Sequence, residues 1–302
     1  MEPAIVIFRC IFEMRSEDHI VKLIQMAIVV SLISPAYALE PLQVVAAENF
    51  YGDLVKQVGG SRVSVTSVLN NPDQDPHLFE ASPSIARNLN SAVLIIVNGI
   101  GYDAWMDKLV PPSKSSSVIN VAKLNNKKDG ENPHVWYDVS VMQKAADEIC
   151  ARLSFLEPSS KPEFERNLAL VQADLGRLQT KIEAVSTKTK NKAITATEPV
   201  FGYMAAALHL EMRNERFQLA VMNNTEPSFA DVTAFEADIK NHKVRALLYN
   251  SQASSPTADR LKKLAGKFGI PVVGITETEP ENTKYQDWMM SQVIALETEI
   301  AK

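Results

Sequence analysis

Between Phe164 and Val185 the apolar residues fall at Phe164, Leu168, Val171, Leu175, Leu178, Ile182 and Val185, in alternating steps of four and three. That is the period of a single buried stripe on an α-helix. Pro162 suits a first helical turn, and Ser160 stands where a cap is wanted. The spacing therefore predicts one unbroken helix over residues 162–185, about 36 Å long at roughly 1.5 Å per residue. A coiled coil would also use such a stripe, but the three heptads have no partner.

This rod divides the strand-forming runs into two groups. QVVAAE (43–48), VSVTSVL (63–69) and AVLIIVNG (92–99) precede it; AITATE (193–198), VRALLYNSQ (244–252) and PVVGITE (271–277) follow it. Amphipathic segments such as Asn49 to Val58 and Ala230 to Asn241 lie between the runs. Apolar strands alternating with helices indicate an α/β architecture. The expected fold is two α/β lobes with mainly parallel sheets joined by one long rigid helix. The expected divisions are residues 39–160, a connecting helix 161–188, and 189–302. No Gly/Ser-rich linker separates the groups, so the helix should limit how far the lobes hinge.

The 302 residues exceed what a single core usually organises, and a 46% apolar, 22% charged composition is that of an ordinary globular protein. The net charge of −5, with no basic block, argues against nucleic acid as a partner. The amino end stands apart. Leu23 to Ile33 is apolar but too short to span a bilayer; Lys22 precedes it and Ala36-Tyr37-Ala38 follows. These are the parts of a secretory signal peptide over residues 1–38, cleaved near Ala38, with Met14 as an alternative start. The mature chain would be exported, with no membrane-spanning segment. Cys10 follows Arg9 rather than a small residue, which speaks against a lipid anchor. Its removal leaves Cys150 alone, in a helical pattern, as a packed thiol.

In an open α/β sheet, ligands bind beyond the carboxyl ends of the strands. The loop after the second run carries His77 in DPHLFE, and His134 follows Pro133 in NPHVWYD, ahead of a helix starting near Val139. On the far side of the rod, Glu198 ends AITATE, and Glu277 and Glu279 end PVVGITETE. Imidazole and carboxylate are ligand types for a divalent transition metal. Each residue also has a plainer use, as a cap or a helix-terminal charge. His209 and His242 read as surface residues, Trp105, Trp136 and Trp288 as packing residues, and NGIGYDAW (98–105) as a turn before a helix. No H-E-x-x-H, G-x-S-x-G, P-loop or G-x-G-x-x-G is present.

AAENFYGDLVKQVGG, DPHLFEASPSIARNLNSA, NGIGYDAW, NPHVWYD, FGYMAAALHLEM and TETEP followed by YQDWM, from about Gln43 onward, resemble the periplasmic metal-binding proteins of manganese and zinc ABC importers, the cluster A-I solute-binding family. The resemblance implies two lobes on one long helix and a single metal ion in the cleft. It places the ligands on His77, His134, Glu198 (where many members have histidine) and Glu277, with Glu279 as a substitute for Glu277. Two histidines and two carboxylates resemble the manganese-type variant, and 123–132 lacks the histidine-rich loop of many zinc-type members. Mn²⁺ is thus favoured over Zn²⁺ as cargo, although Zn²⁺ should bind such a site more tightly in vitro. The implied partners are an ABC permease and its separate ATPase subunit, with the chain acting as a monomer and not as an enzyme. The rival readings are an exported metallohydrolase, which would keep an open metal position, and a metal-dependent adhesin. Asn250 is the suggested partner of an imidazole's second nitrogen.

Overall fold

The computed structural model describes residues 40–71, 79, 82–253 and 255–300; the segment 1–38 and His77 lie outside the described residues. The first lobe runs β1 (Leu42–Glu48), α1 (Asn49–Gly59), β2 (Val63–Leu69), α2 (Pro83–Ser91), β3 (Leu94–Val97), α3 (Ala104–Leu109), β4 (Val118–Asn120), α4 (Val121–Leu124) and α5 (Val139–Leu156). The long helix α6 is Lys161–Thr189. The second lobe runs β5 (Ala193–Ala196), α7 (Gly202–Ala207), β6 (Glu211–Arg213), α8 (Glu215–Met222), α9 (Phe229–Lys240), β7 (Leu247–Asn250), α10 (Pro256–Lys267), β8 (Val272–Ile275) and α11 (Tyr285–Ile300).

Each lobe holds a four-stranded parallel sheet, ordered β2-β1-β3-β4 and β6-β5-β7-β8. The two orders are the same topology used twice. Chain direction across the sheet reverses between β1 and β3, and again between β5 and β7, which opens a crevice at the carboxyl edge of each. In β1, Val44 and Ala46 enter the main core while Val45 and Ala47 enter a separate outer core, so the strand is buried on both faces. Glycine lets α1 lie close on β2: a Cβ at Gly52 would sit 2.1 Å from Ser67 Oγ.

Helix α6 has 29 residues, about 43 Å of rise. The anticipated stripe is its buried face, with Leu168 only partly covered. It packs against α1 and α5 on the first-lobe side and against α11. One continuous apolar core joins β1, α1, α5, α6, β5, α7, β8 and α11, so both lobes share a single interior. The chain from Pro41 onward forms one compact unit.

Three details depart from the sequence reading. The helix is longer than 162–185. Ser160 stands at its N-cap but makes no capping bond, because its hydroxyl is turned to Glu157. The edge strands β4 and β6, three residues each, were not anticipated. His209 and His242 are exposed, as their sequence reading expected, both with positive φ, 53° and 50°.

Arg62, just after α1, makes a two-pronged bond to Glu157 at the end of α5, at 2.7 and 2.8 Å. This bond, more than anything else, holds the Glu157 carboxyl below its ordinary value of 4.5. A depressed pKa contributes stability above the unfolded-state value and loses it as pH falls through the folded-state value. Glu157→Gln should therefore lower the urea midpoint at pH 7, and the gap to wild type should close below about pH 4. Urea titrations of both proteins at the two pH values check this.

Candidate metal centre

His134 sits between β4 and α5, in a short turn that ends where Asp138 caps α5 through Ser140 N–H. It is wholly buried, its ring 5.2 Å from that of Trp136 and 5.8 Å from that of Tyr102. Asn132 decides its tautomer. The Asn132 oxygen accepts from the His134 backbone N–H at 3.1 Å, and only an oxygen can do so. The same oxygen is 2.7 Å from Nδ1, so Nδ1 carries the hydrogen. Nε2 then bears the lone pair, and it faces Glu277 Oε2 at 3.3 Å. The Asn132 amide nitrogen donates to Pro199 O at 2.6 Å, tying this loop to the residue after Glu198.

Glu277 follows β8 and is wholly buried. Tyr102 O–H donates to its Oε2 at 2.9 Å, and Asn250 Nδ2 donates to its Oε1 at 2.5 Å. Burial first, and the Glu277 charge second, hold the Tyr102 phenol well above its usual pKa, so it remains a donor. Asn250 Nδ2 also donates to Glu198 Oε2 at 2.8 Å. Its orientation is fixed because Asn250 Oδ1 accepts from Gln252 N–H at 3.0 Å. One side-chain amide thus sets two buried carboxylates side by side, at the point where the second sheet reverses direction. Glu198 is 4% exposed and also lines a cavity of 380 Å³ with Thr197, Thr225 and Ser255.

Among the described residues, no three His, Cys, Asp or Glu side chains close on a common point by themselves. His134 and Glu277 meet directly, Glu198 is held one amide away, and His77 lies outside the described residues. Glu279 goes elsewhere. Its backbone N–H and C=O are both bonded by the Asn49 side chain, at 3.1 and 2.6 Å, and its carboxyl lines a groove against α1 that contains none of His134, Glu198 and Glu277. Burial, then the nearby Asp53 charge, push that carboxyl up to about 9.

Sequence reasoning missed Asn132 and Tyr102, although both lie in motifs it had marked. Its suggestion for Asn250 is corrected: this amide serves the two carboxylates, and Asn132 serves the imidazole. Behind His134 and Glu277, bonds cross between the lobes. Tyr137 O–H donates to Thr276 O at 2.6 Å, and Tyr285 O–H donates to Trp136 O at 2.5 Å.

The family described as zinc-uptake complex component A, periplasmic (ZnuA) matches residues 44–299. The metal ABC transporter substrate-binding lipoprotein SloC of Streptococcus mutans is 27% identical over 263 residues, covering 81% of this chain and 83% of its own. The manganese-binding lipoprotein MntA of Bacillus subtilis is 24% identical over 244 residues, covering 77% and 78%. In fold, the chain is like the periplasmic zinc-binding protein TroA from Treponema pallidum, with a TM-score of 0.73 at 21% identity over 87% of this chain and 100% of the other. The family match spans both sheets and α6, and the chain belongs to the ZnuA family, as a substrate-binding component of metal ABC importers and not an enzyme.

Proposed function

We propose that the chain captures one divalent transition-metal ion through His77, His134, Glu198 and Glu277 and hands it to an ABC permease driven by a separate ATPase subunit. The observation that carries this reading is the buried pair His134 Nε2 and Glu277 Oε2, 3.3 Å apart. With Nδ1 protonated toward Asn132, both facing atoms bear lone pairs. Such a pair is stable around a proton or a cation and repels otherwise. Asn250 brings Glu198 alongside, so that two carboxylates match the two charges of the ion.

Manganese is our reading of the cargo. Carboxylates suit Mn²⁺, while four-coordinate zinc sites lean on nitrogen and sulfur. The relative MntA is named for manganese and TroA for zinc, so the donor set tips the choice. Export agrees with the family, and cleavage near Ala38 would spare every described element, the first of which starts at Leu42. Among the described residues no helix is long and apolar enough to cross a membrane.

Chelator-competition titrations with Mn²⁺ and Zn²⁺ test the site. His77→Ala should abolish tight binding of both ions, and undiminished affinity would refute the ligand set. Glu198→His should lower the Mn/Zn affinity ratio; an unchanged ratio would overturn the preference for manganese.

Asn132→Ala should weaken metal binding about 10–100-fold, while the melting temperature of the metal-free protein stays near wild type. Gly202→Ala should act in the same direction, because its Cβ would sit 2.7 Å from Asn132 Nδ2. Calorimetric titration of both variants checks this.

A further inference from the structure

The stretch NGIGYDAW (98–105) supplies none of the four proposed ligands, yet it is built under strain. Gly99, Ile100 and Gly101 have φ of 85°, 42° and 85°. Glycine enters that region freely, whereas a β-branched residue such as Ile100 resists it. Strain of this kind persists only where the surroundings over-determine it, and it gathers at binding sites.

Asp103 holds the turn. Its Oδ2 accepts from Asn98 N–H at 2.6 Å and its Oδ1 from Gly99 N–H at 2.8 Å, and the residue is buried. Asp103 is also the N-cap of α3, yet its side chain makes no capping bond there. An aspartate in that place ordinarily accepts a helix N–H, so this one is turned back onto the segment before it. Two side chains of the turn reach the buried pair. Asn98 Nδ2 donates to Pro133 O at 2.9 Å, on the residue before His134. Tyr102 touches both members. Its ring packs against the imidazole, centroids 5.8 Å apart, and its O–H donates at 2.9 Å to Glu277 Oε2, the oxygen that faces His134 Nε2. Asn250 donates to the other oxygen, so the carboxylate is gripped at both ends, once from each lobe.

We propose that Tyr102 is a positioning residue for metal capture, fixing which oxygen of Glu277 the ion meets, and that Asp103 acts through it by locking the strained turn. The inference rests on the reading of His134 and Glu277 as ligands. A free carboxylate rotates and can take a metal through one oxygen or two. With Asn250 on Oε1 and Tyr102 on Oε2, rotation is blocked and Oε2 is presented beside Nε2 before an ion arrives. Groups held in place beforehand lose less freedom on binding.

The experiment is competition titration of the full chain with Mn²⁺ and Zn²⁺, with the absorption spectrum of the Co²⁺-loaded protein beside it, because cobalt bands report ligand geometry. Tyr102→Phe keeps the ring on His134 and removes only the O–H. It should weaken binding about 10–100-fold, the range for a group that orients a ligand, and shift the cobalt bands, with unchanged circular dichroism. Asp103→Asn, which can accept only one of the two backbone N–H groups, should act in the same direction. The loss in the double variant should fall short of the product of the single losses, since one residue acts through the other. The proposal is overturned if Tyr102→Phe binds and absorbs as wild type does, or if the two losses multiply in full. Tyr102→Phe alone decides it if Asp103→Asn does not fold. Glu277→Gln separates the two readings. If it binds as wild type does, the ligand set falls and this role with it; if it loses binding while Tyr102→Phe does not, the role alone falls.

Discussion

An imidazole nitrogen and a carboxylate oxygen held face to face at 3.3 Å, with no exposure to water, is the constraint the rest of the molecule answers to. Buried ionisable groups are costly unless paired and hydrogen-bonded. Each of these is pinned from behind: His134 by Asn132, and Glu277 by Tyr102 and Asn250. Both amides have their orientation decided by a backbone N–H at the oxygen end. Neither can flip without leaving a backbone donor unpaired, so the polarity of the site is set by main-chain geometry.

The repeated topology explains why the groups converge. Each sheet presents a reversal point at its carboxyl edge. In the second lobe, Glu198 follows β5 and Asn250 ends β7, the two strands flanking the reversal. In the first lobe the equivalent positions are Glu48, ending β1, and Asn98, following β3. Asn98 Nδ2 donates to Pro133 O at 2.9 Å and so supports the His134 turn, while its Oδ1 accepts from Tyr51 O–H at 2.8 Å. Asparagine thus does the same kind of work at both crevices. Glu48 is buried, and burial, then the Asp103 charge, hold its carboxyl well above the ordinary range. It stands where Glu198 stands in the second lobe, at the strand that flanks the reversal.

Much of this was legible in the sequence, for identifiable reasons. The seven apolar residues of α6 repeat with a helical period over many turns, and strands buried on both faces read as apolar runs. Edge strands β4 and β6 are three residues long, too short to show a period of two. Proline before each histidine marked the NPH and DPH loops, and strand ends marked Glu198 and Glu277. What could not be read was which way a strand-end side chain turns. Glu277 and Glu279 lie two apart in TETEP, and an extended chain would send both to one side. The backbone after Glu277 is instead captured by Asn49, which takes Glu279 into another groove. Asn250 differs in the same way, acting on Glu198 and Glu277 far away in sequence; Asn132 serves the nearby His134, but its anchor at Pro199 is distant and nothing local encodes it.

The shared interior bears on how an ion is given up. Opening the lobes as rigid bodies would have to break the Tyr137–Thr276 and Tyr285–Trp136 bonds and divide a core that runs through α6 into both sheets. Packed interiors resist such deformation, and they switch between discrete arrangements rather than yielding gradually. Glu198 and Glu277 lie in loops just past strand ends, and His134 lies in the turn before α5. Displacing one loop costs a few hydrogen bonds, whereas parting the lobes costs a core. On the proposed ligand set, release is cheapest as a local event in which a docked partner shifts one loop. Asn132 couples the His134 turn to the backbone beside Glu198, so moving one of those loops loosens the other.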